Sequence, residues 1–234
     1  MPRVSVVVPA RNEEAYIGRA LDSLLAQDPP PDEIIVVDNA STDRTSEIAR
    51  QKGARIVREE RVGLHHARQA GLEAAQYEIV AQIDADTLAL PGWIAAIQRG
   101  FRDPDTVETY GPIEFYEAPA FDRWLAKWGF PIFLRLMAAL GHPNASGGNH
   151  AVRRDAALAV GGYDQPYAED LHLAKKLAQV GRVRYLPDQR VATSGRRLAK
   201  GRWKFYGLHA RNVLARLLGR SESYGQDYYA DREG

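Results

Sequence analysis

Ile79-Val80-Ala81-Gln82-Ile83-Asp84-Ala85-Asp86-Thr87 is the stretch whose reading decides the fold. A run of apolar residues stops abruptly in two carboxylates one residue apart. Side chains alternate along a strand with period 2, so Asp84 and Asp86 are expected on one side as the strand leaves the core. Two same-side carboxylates at a strand's C-terminal end can hold a hard divalent cation. In an open α/β sheet that end is also where ligands bind. Taken alone, an acid-x-acid pair is more often a turn, because Asp favours turns. The surrounding sequence decides between the two.

Two further segments end in the same manner. Val4 to Val8 is β-branched and runs into Pro9-Ala10-Arg11-Asn12, and Glu33 to Val37 ends in Asp38. Arg55 to Val57 is a shorter strand. Between them, Ile17, Leu21, Leu24 and Leu25 recur at helical spacing, with Asn12 as the expected cap and Glu13 and Glu14 in the first turn. Ser41 to Asp43 is turn chemistry before a helix that reaches about Lys52, with Gly53 just beyond its end. Gly63 to Ala75 reads as a helix carrying Arg68, and Pro91 suits the first position of a helix running to Phe101. Strand and helix alternate, which predicts a mostly parallel, Rossmann-like α/β sheet with flanking helices. Its polar strand ends would form one acidic rim around a crevice.

The pattern changes near residue 105. Val107 to Phe115 reads as a strand broken by Gly111-Pro112, and Ala120 to Leu140 as mostly helix. A loop spans His142 to Asn149, a short helix Arg153 to Val160, a helix Glu169 to Val180, a strand Val183 to Leu186, and a C-terminal helix Arg202 to Leu218. The expected organisation is a nucleotide-binding half, 1–105, and an acceptor and catalytic half, 106–220, of one domain, followed by a polar tail, 221–234.

Composition narrows the function classes. Thirty-one Lys and Arg balance 30 Asp and Glu for a net charge of +1, so no nucleic-acid partner is expected. There is no cysteine, which excludes disulfides and thiolate metal sites. The chain starts on a strand without a basic, then apolar, leader, and no run of 18 apolar residues occurs. A cytoplasmic protein is the default expectation.

Six short motifs stand in register: Val7-Val8-Pro9-Ala10-Arg11-Asn12-Glu13-Glu14; Val36-Val37-Asp38-Asn39-Ala40-Ser41-Thr42-Asp43; Asp84-Ala85-Asp86; Ser146-Gly147-Gly148-Asn149; Gly161-Gly162-Tyr163-Asp164; and Glu169-Asp170. With Ala67-Arg68 and Gly71 between the second and third, order and spacing resemble the family-2 glycosyltransferases with a GT-A fold, over roughly residues 3–203. The resemblance implies a GT-A-type sheet with a helical C-terminal acceptor part. It implies a nucleoside pocket lined by Pro9, Ala10, Arg11 and Glu13, with Asp38 accepting hydrogen bonds from the base or ribose. Asp84, beside Ala85, would contact ribose or metal, and Asp86 would bind Mg²⁺ or Mn²⁺ on the donor diphosphate. Gly148 and Asn149 would lie near the donor sugar and the acceptor. Asp170 would be the general base of an inverting transfer, with Glu169 its positioning neighbour. The expected donor is a UDP-sugar, with a GDP-sugar the alternative, and the acceptor a hydroxyl of a glycan or a lipid-linked glycan.

Parts of this have a rationale in the residues themselves. A permanently charged, forked guanidinium such as that of Arg68 can fix a carboxylate rotamer. Glycines at 147 and 148 permit close backbone approach. Glu169 and Asp170 equally suit the first turn of any helix, where the dipole favours anions. Arg202-Trp203 resembles the Q-x-x-R-W motif of processive members, but Ala199 stands where the Gln belongs, so a non-processive enzyme is expected. From 182 to 220 the basic residues, Arg196 and Arg197 among them, face one acid, Asp188. This is a solvated face, a diphosphate clamp or a contact with anionic lipid. The aromatic segment with Trp124, Trp128, Phe130, Phe133, Leu134 and Met137 reads first as core, and second as a peripheral contact with the inner membrane face. His209 is the one histidine considered for a metal shell, and a half-exposed helix residue is its simpler reading. The rival functions are a sugar-nucleotide pyrophosphorylase, disfavoured because Pro9 to Glu14 lacks glycine, and a non-catalytic nucleotide-sugar-binding module.

Overall fold

The computed structural model describes residues 1–141, 145–166, 168–199, 201–203 and 206–207. Its strands are β1 (Val4–Ala10), β2 (Glu33–Asp38), β3 (Arg55–Arg58), β4 (Ile79–Ile83), β5 (Thr87–Ala89), β6 (Thr106–Tyr110), β7 (Ile113–Tyr116), β8 (Asn149–Arg153), β9 (Arg182–Tyr185) and β10 (Val191–Ser194). The helices that matter for the site are α1 (Ile17–Leu25), α2 (Thr45–Gln51), α3 (Leu64–Ala74), α4 (Trp93–Gly100), α5 (Ala120–Trp124), α6 (Phe130–Ala139), α7 (Arg154–Ala159), α8 (Glu169–Leu177) and α9 (Arg196–Ala199).

Seven strands form one sheet in the order β3-β2-β1-β4-β8-β6-β9, and β5-β10-β7 form a second. The first four are parallel, as the strand-helix alternation predicts. β8 then enters antiparallel to both β4 and β6, and β9 lies parallel to β6. This is the mixed, mostly parallel α/β sheet expected. β1 shows why its sequence is apolar but for Ser5. Val4, Val6 and Val8 point into a core with Ile17, Leu21, Leu24, Trp93 and Ile97, while Val7 points into a second core with Ala67, Leu72 and Leu173. A strand covered on both faces has no polar side to show.

Several boundaries move. Asn12 does not cap α1, which starts at Ile17 after Tyr16. Asn12 lies at φ 54°, and its Oδ1 accepts from the Thr42 amide at 2.8 Å, stitching the loop after β1 to the loop after β2. Pro91 is not the first residue of α4. Gly92 precedes that helix at φ 84°, a left-handed turn that suits glycine. The strand expected over 107–115 is two, and Gly111-Pro112 sends β6 and β7 to different sheets. The helix expected over 120–140 is interrupted by a π-helical turn, Leu125–Gly129. β5, β8 and β10 were not expected as strands. Most of the C-terminal helix, the tail, His209 and the start of the 142–149 loop lie outside the described residues.

Candidate active site

The two carboxylates of the 84–86 stretch meet different partners. The backbone turns as β4 ends, with the Thr87 amide donating to the Asp84 carbonyl at 3.0 Å, and β5 starts at once. β4 ends at Ile83, so both carboxylates lie beyond the regular strand and its period of 2. Asp84 faces Arg68, whose Nη2 donates to it at 3.2 Å. Asp86 meets Arg196 Nη2 at 2.8 Å and the Thr193 hydroxyl at 3.4 Å. Its carbonyl accepts from the Tyr116 hydroxyl at 2.8 Å and the Ser194 amide at 3.0 Å. Ala85, between them, packs into the hydrophobic core and turns no atom of its side chain to a ligand.

Arg68 is the hub. It sits on α3 with 3% of its side chain exposed. Nη1 donates to Glu169 Oε1 at 2.6 Å and lies 3.9 Å from Asp170 Oδ2. One guanidinium thus joins the turn after β4 to the first turn of α8, whose Glu169 lies 101 residues beyond Arg68. Glu169 is wholly buried, with the Arg68 guanidinium against its carboxylate. Asp170 is part-exposed, and its Oδ2 accepts from the Gly147 amide at 2.6 Å. Ala168, in the left-handed region at φ 48°, turns the chain so that both acids enter α8.

The glycines at 147 and 148 serve the protein's own side chains. A Cβ at Gly147 would lie 1.8 Å from Arg68 Nη1, and one at Gly148 would lie 2.9 Å from Asp84 Oδ2. Asn149 is fully buried. Its Oδ1 accepts from Trp93 Nε1 at 2.9 Å, and its Nδ2 donates to the Pro112 and Gln189 carbonyls at 2.9 and 2.7 Å. Those bonds use up the amide, so the side chain is a structural tie rather than a ligand contact.

The residues of the expected nucleoside pocket divide. Pro9 and Ala10 are buried strand residues, while Arg11 is exposed at the rim. Asp38 is buried, with Oδ1 accepting from the Ser41 amide at 2.9 Å and Oδ2 from the Ser46 hydroxyl at 2.6 Å. Burial works against its charged form, but these bonds and Arg58 outweigh it and hold the carboxyl below the usual range. Glu13 is tied to the start of α2, its amide donating to the Thr45 hydroxyl at 2.8 Å. Its Oε1 accepts from Arg196 at 2.5 Å, while Oε2 is buried without a hydrogen-bond partner. Burial, with the charges of Asp86 and Asp84 adding to it, raises the Glu13 carboxyl despite Arg196.

Arg196 is the residue that sequence reasoning left unassigned. It follows β10, and its guanidinium stacks over Tyr16 at 4.7 Å while bridging Glu13 and Asp86. The signal was the basic run with a single acid, which could not say which of its cations turns inward. A second unanticipated group lies in the sheet. His150 Nδ1 is 2.8 Å from Glu108 Oε1, and Nε2 is 3.0 Å from the Tyr163 hydroxyl. All three are buried. Burial pushes the Glu108 carboxyl well up and the imidazole down to about 3, so burial favours the neutral form of each.

Among the described residues, no three His, Cys, Asp or Glu side chains form a ready-made cation cage. The donor set nevertheless fits a hard divalent ion. Asp86 and Asp84 offer carboxylate oxygens, Glu13 carries an orphaned buried oxygen beside them, and a guanidinium is already drawn to the spot. Mg²⁺ commonly takes one or two protein carboxylates and completes its shell from phosphates and water.

A profile of Glycosyl transferase family 2 matches residues 5–161. An uncharacterised glycosyltransferase of Mycobacterium tuberculosis is 42% identical over 101 residues, 42% of this chain and 44% of that protein. The glycosyltransferase AglE of Haloferax volcanii is 34% identical over 102 residues, 40% of this chain and 34% of its own. The match to these curated relatives thus spans less than half of their length. Among solved structures, a mannosyltransferase from Pyrobaculum calidifontis, in complex with GDP-Man and Mn²⁺, superposes with a TM-score of 0.70 at 26% identity, over 96% of this chain and 65% of that one. Glucosyl-3-phosphoglycerate synthase from M. tuberculosis, in complex with Mn²⁺, UDP and phosphoglyceric acid, gives 0.64 at 26% identity, over 94% and 78%.

Proposed function

The chain belongs to glycosyl transferase family 2, and from that premise we propose that it moves a sugar from a nucleoside diphosphate donor to a hydroxyl acceptor, with inversion and one transfer per encounter. The observation that carries this reading is Arg68, which joins a carboxylate of the donor-side turn to the acidic pair at the start of α8. A single displacement needs little else from the protein: a base on one face of the sugar and a stabilised leaving group on the other. The acceptor oxygen attacks the anomeric carbon as the bond to the diphosphate breaks, and the hydroxyl proton passes to Asp170. Gly147 fixes one oxygen of that carboxylate, and Arg68, pinned by Glu169, lies behind it.

Asp86 and Asp84 would hold Mg²⁺ or Mn²⁺, which when bound neutralises charge on the departing diphosphate. Arg196 supplies a further cation beside Asp86. The nucleoside would rest in the corner between the loops after β1 and β2, near Arg11, Glu13 and Asp38. Uridine is the expected base and guanosine the alternative; the synthase and mannosyltransferase structures carry one of each. The acceptor is a hydroxyl of a glycan or a lipid-linked glycan, and the setting is cytoplasmic.

The test pairs two variants. Asp170→Asn should bind the donor with Mn²⁺ as the wild type does yet release no nucleoside diphosphate to the acceptor. Asp86→Ala should lose the Mn²⁺-dependent part of donor binding. Normal turnover by either variant overturns the assignment.

A further inference from the structure

The helical rod formed by α5, the π turn and α6 is buried on one side only. Asp122, Ala126, Leu134 and Met137 face the protein, where Leu134 joins Tyr110, Ala145 and Ala174 with Phe130 and Phe133 packed alongside. So part of the aromatic segment is core, as its first reading held. The opposite side is different. Phe121 is 57% exposed, Trp124 and Trp128 58% each, Ile132 66%, Leu136 58% and Leu140 59%.

The spacing of these six makes one stripe. Residues four apart in a straight α-helix drift by about 40° per step, because a turn takes 3.6 residues. A stripe from Trp124 to Leu140 would therefore wind far round the rod. The π turn at Leu125–Gly129 is wider, closing on i→i+5 bonds. It sets the stripe back at its first step and so reduces the winding between the aromatic and aliphatic ends.

Charge on the rod has one sign. Arg123, Lys127 and Arg135 are exposed, and the Lys127 ammonium lies 5.5 Å from the Trp128 ring. The single acid, Asp122, is turned inward to the Tyr206 hydroxyl at 2.8 Å and Arg202 at 3.4 Å. An exposed tryptophan-bearing stripe flanked by cations, with no exposed acid, matches the boundary of an anionic bilayer. There the rings settle among the headgroups and the long basic side chains reach anionic lipid. A second copy of the same face would bring cations against cations.

We propose that residues 120–140 dock this protein peripherally on an anionic lipid surface. No helix of the described residues is long and apolar enough to cross a membrane, and none is needed for this mode of contact. The rod follows directly on β7, whose Tyr116 hydroxyl holds the Asp86 carbonyl, so docking brings the candidate active site to the bilayer. That the bilayer presents the acceptor rests on the transferase reading; the docking itself does not.

The test uses the full chain with lipid vesicles and no substrate. Co-sedimentation is expected with phosphatidylglycerol-rich vesicles and not with phosphatidylcholine alone. It should weaken with salt and be accompanied by a blue shift of tryptophan fluorescence. The variant Trp124→Ser/Trp128→Ser/Ile132→Ser should lower vesicle affinity by at least about tenfold, and Lys127→Glu/Arg135→Glu should do so through charge. Circular dichroism and nucleotide-induced thermal shift should stay as in the wild type for both. No binding by the wild type, or binding unchanged in the first variant, overturns the proposal. So does vesicle binding that appears only when residues 221–234 are deleted, since the acidic tail would then be the occupant. A dimer that the first variant dissolves, without vesicle binding, assigns the face to a second copy and overturns it too. Nucleoside diphosphate release without vesicles tests the transferase reading separately.

Discussion

Replacing Arg68 by Met tests the hub directly. The guanidinium is 3% exposed and the Glu169 carboxylate wholly buried, 2.6 Å away. Removing one partner of such a pair leaves an uncompensated buried charge, which costs about 3–5 kcal/mol. Asp84 is 30% exposed, so water takes over its lost bond and adds little. For a chain of this size each kcal/mol moves the melting temperature by about 2–4 °C, so Arg68→Met should melt roughly 6–20 °C lower. The loss should depend on pH. Without its cation the buried Glu169 carboxyl takes up a proton in the folded state, so its folded pKa stands above the unfolded value. Stability is then retained at acid pH and lost as pH rises, and the deficit is larger at pH 8 than at pH 5. Arg68→Met/Glu169→Gln removes both charges and should recover much of the stability but none of the transfer. Urea denaturation of the three proteins at both pH values gives the comparison. A penalty below about 1 kcal/mol in Arg68→Met, equal at both pH values, would mean that the pair is solvated and that Arg68 is no hub.

Gly147→Ala puts a methyl group where the Arg68 guanidinium lies and should cost about 1–3 kcal/mol; an unchanged melting curve together with unchanged transfer would show that the loop adapts. Arg196→Gln leaves Asp86 and Glu13 facing each other without their bridging cation. It should lower the melting temperature without metal and enlarge the upward shift caused by Mn²⁺ alone, and an equal shift in both proteins would show that ion and guanidinium do not compete. Glu108→Gln keeps a neutral donor for His150. The Glu108 pKa is raised by burial, so its contribution is full below the unfolded value and falls as pH rises, by up to about 1.4 kcal/mol per pH unit. The variant should therefore gain on the wild type between pH 5 and pH 7 in urea denaturation, whereas parallel profiles would show that Glu108 is ionised in the fold.

What the sequence made legible follows from where local signals dominate. β1, β2 and β4 are covered on both faces, so their residues are mostly apolar and their ends are marked by polar groups. The helices between them carry ordinary helical spacing and stops. Arg68, Asp84, Glu169 and Asp170 could be linked as one site only through the order of motifs that resembles the family, because singly each also suits a turn, a solvated helix face or the first turn of a helix. The sequence could not show that β4 stops before Asp84, since a turn and one more strand residue look alike at an Asp. Asn149 stood inside a motif, yet its amide is spent on Trp93, Pro112 and Gln189, partners far apart in the chain. β5, β8 and β10 are short and pair at mixed sheet positions, where no period of 2 or 3.6 has room to appear. Arg196 could be separated from the other basic residues only by the packing of β10 beside the turn after β4.

The place of β8 has a consequence for how the protein is made. The chain completes β4, travels outward to lay down β6, and only then returns to fill the gap between them. During synthesis the apolar β4 therefore waits with a row of unsatisfied amide and carbonyl groups until residues 149–153 emerge. Open edges of that kind invite pairing with other chains. The first 105 residues are in this sense an unfinished half, and a fragment ending there should gather into aggregates rather than stand alone as a nucleotide-binding unit.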